Sequence, residues 1–347
     1  MRRGFIDGLA SPKSLPEASP WDLMKTATII ICTCNRAEHL RETLKSIVRL
    51  EVPESLLVNL VVVDNGSKDH TAAVVRAYAS KTISMLYLYE PKRGKAHACN
   101  RAMAASQGEL LLWTDDDVRV PSDWVVQMTA PLLAGQAEGV SGRVRMAFHL
   151  ERKWMQRTHY FRLADNRFRS GEDLSMVGAN MAFMRTVLQR VPQFELELGP
   201  GGSGQRDDTL FSQQMLRAGY RIMQSECEVE HHFEERRLLR RAWLRHGEAS
   251  GESSALLCFH WEHRRVRGAL CFKLLWRAAL GLYRAAHPWA SLEEEGCSRF
   301  EIRMAEQIAF YSGYLKYRTA RRKYARHGLA PMGHESAAAM AFQSGGS

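Results

Sequence analysis

Residues 109–118 read Glu-Leu-Leu-Leu-Trp-Thr-Asp-Asp-Asp-Val, an apolar run that opens straight into three consecutive carboxylates. Apolar on both faces and too short for a helix, the run predicts a strand buried inside a sheet. Three carboxylates at one strand end repel each other. Holding them there is costly unless a cation sits among them, and hard oxygen ligands suit Mg2+ or Mn2+. A solvated acidic turn, or caps for a helix starting near Pro121-Ser122-Asp123-Trp124, accounts for the triplet alone equally well. The rest of the chain decides between these readings.

Upstream, strands and helices alternate. Residues 27–32 are a β-branched strand, followed by the loop Thr33-Cys34-Asn35-Arg36 and a helix over 37–49 with Leu40, Leu44, Ile47 and Val48 on one face. A second buried strand, 58–63, runs into Asp64-Asn65-Gly66-Ser67, where Asn-Gly marks a sharp turn and Asp69 caps a helix reaching residue 79. A third strand, 83–89, precedes the basic segment Pro91-Lys92-Arg93-Gly94-Lys95 and a helix over 96–106. The acidic strand is the fourth. Such alternation implies parallel βαβ units in an open, doubly wound α/β sheet, whose ligands bind beyond the carboxyl ends of the strands. Thr33–Arg36, Asp64 and Asp115–Asp117 all lie at those ends, so three distant polar clusters are expected on one rim.

Past Asp123 the alternation decays. Strands are predicted at 140–144 and 177–183, with a charged, aromatic, flexible insertion at 150–175 between them. The Gly-rich 198–204 predicts a mobile loop. Asp207-Asp208 open a helix through Ala218 that Gly219 stops, and 229–233 closes the compact part. Trp113 and Trp124 are read as core.

In this order the motifs resemble those of family 2 glycosyltransferases, inverting enzymes of the GT-A (Rossmann-like) fold, from about residue 28 to 251. They are Cys32-Thr33-Cys34-Asn35-Arg36, Val62-Val63-Asp64-Asn65-Gly66-Ser67-Lys68-Asp69, Gly94-Lys95 with Asn100-Arg101, and Gly108-Glu109 leading to Asp115-Asp116-Asp117. Then come Gly178-Ala179-Asn180-Met181-Ala182-Phe183, Asp207-Asp208-Thr209, Leu216-Arg217-Ala218-Gly219-Tyr220 and Val229-Glu230-His231. The resemblance implies a nucleoside-diphosphate sugar donor, UDP being the commonest, and Mn2+ or Mg2+ bridging its diphosphate as a Lewis acid. It implies that Asp115 meets the ribose and Asp117 the metal, with Asp116 the competing ligand. Asp64 would accept from the base, and Thr33, Asn35 and Arg36 would wall the base pocket. Lys95 and Arg101 would neutralise phosphate, or are surface cations. Asp208 would be the catalytic base that deprotonates the acceptor hydroxyl; a helix N-terminus favours such a negative charge, and an ordinary helix cap is the structural alternative. The family usually has Glu before this residue where Asp207 stands, which leaves open which of the two carboxylates points at the acceptor; Asp207 is grouped with the nucleotide-sugar-binding residues. His231 would complete the metal shell, or is structural with His232 beside it. Asn180 would shape the sugar pocket, or is a satisfied buried amide.

The region 239–243 reads Leu-Arg-Arg-Ala-Trp, without the Gln-x-x-Arg-Trp of processive synthases in the same family, so transfer of one sugar per encounter to a carbohydrate or lipid-linked acceptor is expected. A sugar-nucleotide pyrophosphorylase would want a Gly-rich phosphate loop after the first strand, and none is there. A nucleic-acid binder would want a recognisable module with interleaved aromatics, so no nucleic-acid partner is expected.

The 347 residues carry a formal charge of +10, which favours an anionic partner. Seven scattered cysteines point to a reducing, cytoplasmic compartment and no structural zinc. Residues 1–25 read as a leader without a signal peptide, 26–250 as the transferase domain (26–123 nucleotide-binding, 124–250 acceptor half), 251–330 as a basic helical extension and 331–347 as a disordered tail. Within the extension, 268–286 is apolar apart from Lys273, Arg277 and Arg284, which share one helical face. With the basic cluster at the end of a helix over 299–326, this predicts an interfacial helix on an anionic membrane surface, or else a helix packed on the domain with its cations snorkelling.

Overall fold

The computed structural model describes residues 24–78, 83–168, 175–287 and 291–332. The leader up to residue 23, residue 79, residues 169–174 of the insertion and the tail from 333 lie outside them.

Four strands, β1 (Lys25–Thr33), β2 (Leu56–Asp64), β3 (Ser84–Tyr89) and β4 (Leu110–Asp115), run parallel in the order β3-β2-β1-β4. The helices α1 (Ala37–Ile47), α2 (Thr71–Tyr78) and α3 (Lys95–Ala105) connect them. Ile29 and Ile31 face one apolar layer with Leu40 and Leu44 of α1, while Ile30 faces another with Ala98 and Ala102 of α3. Burial on both sides is why β1, β2 and β4 read as apolar runs, while β3 at the sheet edge is half-exposed. The pairing register sets the rim: Thr33 lies opposite Asp64, Asp64 opposite Tyr89, and Cys32 opposite Asp115.

Beyond β4 the sheet is mixed. The acidic segment splits, because Asp116-Asp117 form a turn into a short β5 (Val118–Arg119). Next come α4 (Trp124–Leu133), β6 (Gly139–Met146), α5 (Arg157–Arg162), β7 (Asn180–Met184), α6 (Asp207–Arg217) and β8 (Ile222–His231). Strand β7 is antiparallel to β4 and β6, β8 is parallel to β6, and β5 closes the sheet against β8. Trp113 stacks on Phe183 with centroids 4.8 Å apart, and Trp124 is fully buried, so both belong to the core.

Two expectations are corrected. The described part of the insertion is packed: Asn166 accepts from Val144 N–H at 2.7 Å and donates to the Gly142 carbonyl at 3.0 Å, and His159 wedges edge-on between Trp154 and Trp243. Its charges, which suggested a solvated loop, are spent inside, Arg167 on Asp165 and Glu151, Arg162 on Glu306. The segment 198–204 is likewise pinned. Leu198 is fully buried, and the Pro200 carbonyl accepts from Lys95 N–H at 2.8 Å. Its glycines serve close approach: at Gly201 (φ +91°) a Cβ would lie 2.5 Å from Gly94 Cα.

The C-terminal region holds α7 (Arg240–Leu256), α8 (Ala269–Ala286) and α9 (Arg299–Tyr317). The boundary expected at residue 250 falls inside α7, which packs tightly on α9 where a Cβ on Gly251 would meet the Glu306 carbonyl at 2.1 Å. Helix α9 stops at Tyr317, short of the predicted 326. The chain after it straps back: Tyr324 O–H donates to Glu195, and the Gly328 carbonyl accepts from Gln214 Nε2 at 3.1 Å and Trp261 Nε1 at 2.9 Å. The basic cluster is therefore partly used up, with Lys323 on Glu197 and Arg322 3.8 Å from the Phe259 centroid.

Candidate active site

The rim residues assemble from two interlocked loops. After β1, Asn35 adopts a left-handed conformation (φ 54°), donates from N–H to Ser67 Oγ at 2.8 Å and accepts from Lys68 N–H at 2.7 Å. That ties the loop after β1 to the loop after β2. Asp64 is buried and accepts from Ser67 N–H (2.7 Å) and Tyr87 O–H (2.8 Å). Burial and the bond to Asp64 push the Tyr87 phenol up to about 12. Asn65 holds the third loop, donating to the Glu90 and Lys92 carbonyls and accepting from Gly94 N–H at 2.8 Å.

The chain supplies its own cations to the acidic triplet. Lys95 Nζ lies 2.5 Å from Asp115 Oδ1. Burial disfavours the Lys95 charge, yet Asp115 and Asp207 hold its pKa above the ordinary lysine value. Arg36 does not simply wall a pocket, because its Nη1 donates to Asp116 Oδ1 (3.0 Å) and to Asp117 Oδ2 (2.9 Å). Asp116 also accepts from Thr33 Oγ1 at 2.7 Å, so both its oxygens are engaged. Burial, with Asp117 alongside, pushes the Asp116 carboxyl up to about 6 against the pull of Arg36. For Asp117, burial opposes ionisation, but His231 and Arg36 outweigh it and keep the carboxyl well below the usual carboxylate range.

Electrostatic repulsion alone therefore does not demand a metal. The donor set fits one on different grounds. Asp117 Oδ1 is buried without a hydrogen-bond partner, and His231 Nε2 stands 3.3 Å from it. His231 Nδ1 lies 3.0 Å from the Leu163 carbonyl, which can only accept, so Nδ1 carries a proton. A proton on Nε2 pairs the ring with Asp117; with that proton given up, Nε2 would offer a lone pair beside a carboxylate oxygen that has no other partner, a nitrogen–oxygen pair that suits Mn2+. No cluster of three such ligands occurs among the described residues, so the remaining ligands would come from bound phosphate oxygens or water.

Asp208, half-buried in the first turn of α6, accepts from Gly178 N–H at 3.0 Å and Thr209 N–H at 2.7 Å. A Cβ on Gly178 would lie 3.6 Å from Lys95 Nζ and 3.7 Å from Asp208 Oδ2, so Asp208 flanks the Lys95–Asp115 pair. The Asp207 carboxylate lies against Gly199, within 3.0 Å of where a Cβ there would sit, and is near enough to Lys95 to favour its charge. Burial and Asp208 push the Asp207 carboxyl up to about 6. Two expected residues stand apart. Arg101 is exposed and 3.7 Å from Glu90. Asn180 spends its whole amide in the sheet, donating to the Arg143 and Cys227 carbonyls at 2.9 Å each and accepting from Trp124 Nε1 at 2.8 Å. It is a satisfied buried amide.

One residue was missed. Arg237 sits in a short turn after β8, its guanidinium 5.0 Å from the Phe233 centroid. Burial lowers its pKa, against the pull of nearby Asp117 and Asp115. Its side chain makes no hydrogen bond or ion pair among the described residues. In the sequence it is one arginine in a basic run, with no spacing to single it out.

Residues 28–191 match the family model described as Glycosyl transferase family 2. Among curated relatives, the succinoglycan biosynthesis protein ExoM of Rhizobium meliloti (strain 1021) is 29% identical over 192 residues, covering 54% of this chain and 60% of the relative. ExoA of the same organism is 24% identical over 254 residues, 71% of this chain and 74% of its own. The chain thus spans less than two thirds of the length of ExoM. Among solved structures, the mannosyltransferase PcManGT from Pyrobaculum calidifontis, in complex with GDP-Man and Mn2+, superposes with a TM-score of 0.55 at 22% identity, covering 87% of this chain and 91% of that one. That likeness is one of fold, and it agrees with the GT-A architecture expected from the sequence.

Proposed function

From the match of residues 28–191 to the family model described as Glycosyl transferase family 2, we propose that the chain is such an enzyme and transfers one sugar, with inversion, from a nucleoside-diphosphate sugar to a hydroxyl acceptor. The observation that carries this reading is the strand register, which lines up Thr33, Asp64 and Asp115 on one rim within reach of Asp208. The base is held at Asp64, the ribose at Asp115, and the diphosphate against Lys95 and Arg237. Asp117 and His231 would hold a divalent cation, whose chemistry is to take up charge on the departing diphosphate as a Lewis acid. Asp208 removes the proton of the attacking hydroxyl on the face opposite the leaving group. Two relatives named for succinoglycan biosynthesis support a carbohydrate or lipid-linked carbohydrate acceptor in polysaccharide or glycolipid assembly, which we place in the cytoplasm.

Thermal shift with a panel of nucleoside diphosphates tests the donor site. UDP is the first choice, and the GDP-Man complex of PcManGT keeps GDP in the panel. At about 100 times its dissociation constant the true ligand adds about 2.7 kcal/mol of stability, more with Mn2+ than without. No shift with any of them would refute the reading.

Arg237→Ala should weaken nucleoside diphosphate binding about 10- to 100-fold, the worth of a charge-assisted hydrogen bond. Stability should change little, since no partner is left stranded, and affinity for the bare nucleoside should be unchanged. Equal loss for nucleoside and diphosphate, measured by calorimetry, would remove Arg237 from the phosphate site.

A further inference from the structure

Helix α8 is amphipathic in the reverse sense for a helix on a protein surface. Ala269, Trp276, Leu280 and Tyr283 lie toward α9, and Lys273, Arg277 and Arg284 run along the edge between that side and the open one, Arg277 and Arg284 bordering a groove of about 620 Å3 shared with α7 and α9. The opposite side is apolar and open. At about 100° per residue, Leu270, Cys271, Leu274, Leu275, Ala278 and Leu282 fall within one arc of about 140° that contains no charged residue. Leu274 is 55% exposed, Leu275 64% and Leu282 74%.

Leucines presented in a row this bare mark a contact surface. The charges around the face say what kind. Arg265 and Arg267 stand exposed just ahead of the helix, and Lys273 and Arg277 run along one flank; none of the four has a carboxylate partner among the described residues. A second copy would bring the same unpaired cations, on a chain of formal charge +10, against each other. A surface of anionic lipid would neutralise them while its acyl layer took the leucines. No helix among the described residues is long and apolar enough to cross a bilayer, so the contact is with a surface.

We propose that the outward face of α8 seats the protein on an anionic lipid bilayer, Leu270, Leu274, Leu275 and Leu282 entering the headgroup boundary and Arg265, Arg267, Lys273 and Arg277 holding the headgroups. This rests on α8 and its flanks alone and is independent of the transfer chemistry.

The test is co-sedimentation of the full chain with vesicles of phosphatidylglycerol and phosphatidylcholine, against phosphatidylcholine alone. Binding is expected with phosphatidylglycerol at low salt and should fall as salt is raised. The double substitution Leu274→Glu/Leu275→Glu should reduce it about tenfold or more. Arg265→Gln/Arg267→Gln should weaken it and flatten its salt dependence. Leu57→Ser, at an exposed leucine of β2, should leave it unchanged. These side chains are exposed, so all three variants should keep the wild-type melting temperature. Equal binding by the wild type and the Glu variant, or no wild-type binding to the anionic vesicles, overturns the proposal. So does a concentration-dependent dimer that the Glu variant dissolves, since the face would then belong to a second copy.

Discussion

Asp208→Asn is expected to cut turnover by about 10²- to 10⁴-fold, the usual worth of a positioned general base, while leaving nucleotide affinity nearly intact. The amide keeps the shape of the carboxylate, and its one oxygen keeps one of the two N–H donors, Gly178 or Thr209, that now reach separate carboxylate oxygens. What it loses is the capacity to take a proton. Asp207→Asn discriminates between the two adjacent carboxylates, because Asp207 packs against Gly199 and helps to hold the Lys95 charge, whereas Asp208 is the one tied to the Gly178 N–H. It should depress turnover far less. Initial rates with the donor found by thermal shift, read beside the binding isotherms of both variants, decide the matter. If Asp207→Asn carried the larger loss, the base would be misassigned. A loss of affinity equal to the loss of rate would mean that Asp208 binds the donor.

The largest stability effect is expected at Glu301. Near the N-terminus of α9, this carboxylate accepts from Arg240 Nε at 3.0 Å and Nη2 at 2.6 Å, and Arg284 of α8 approaches to 3.5 Å. Three helices are thus joined at one point. The Arg240 and Glu301 side chains are 9% and 2% exposed, and their hydrogen bonds raise the Arg240 pKa. Glu301→Ala would take the bidentate carboxylate from a buried guanidinium, which costs about 3–5 kcal/mol when one partner of such a pair is removed. Replacing both partners with apolar residues should recover much of the loss. The comparison is Glu42→Ala, which breaks an exposed pair with Lys45 at 2.5 Å and should cost about 1 kcal/mol or less. Denaturant unfolding of the three variants measures both. Equal losses at Glu301 and Glu42 would show that burial contributes nothing at the helix junction.

Strands β1 to β4 were legible because each is apolar on both faces, and their polar ends followed from the alternation with helices. The rim was read from the same pattern. Less legible was how its charges are balanced. Arg36 read as a wall of the base pocket, whereas its guanidinium spans Asp116 and Asp117. That contact joins residues 80 positions apart, and nothing local marks it. Asn180 sits among site motifs, yet its amide answers to Trp124, Arg143 and Cys227, partners that only the antiparallel turn of the sheet brings together. The segments 150–168 and 198–204 misled for a related reason. Charge and glycine content describe how a stretch behaves in water, and here both are satisfied by distant partners.

The backbone meeting of Gly94 with Gly201 has one further bearing. The half proposed to hold the donor and the half that carries Asp208 abut there with no side chain between them, and Lys95 N–H reaches across to the Pro200 carbonyl. In the proposed reaction, the gap between leaving group and attacking hydroxyl would therefore be gauged by main-chain atoms. On that reading, substitutions in the surrounding walls would retune which sugar or acceptor is admitted while that spacing stays constant.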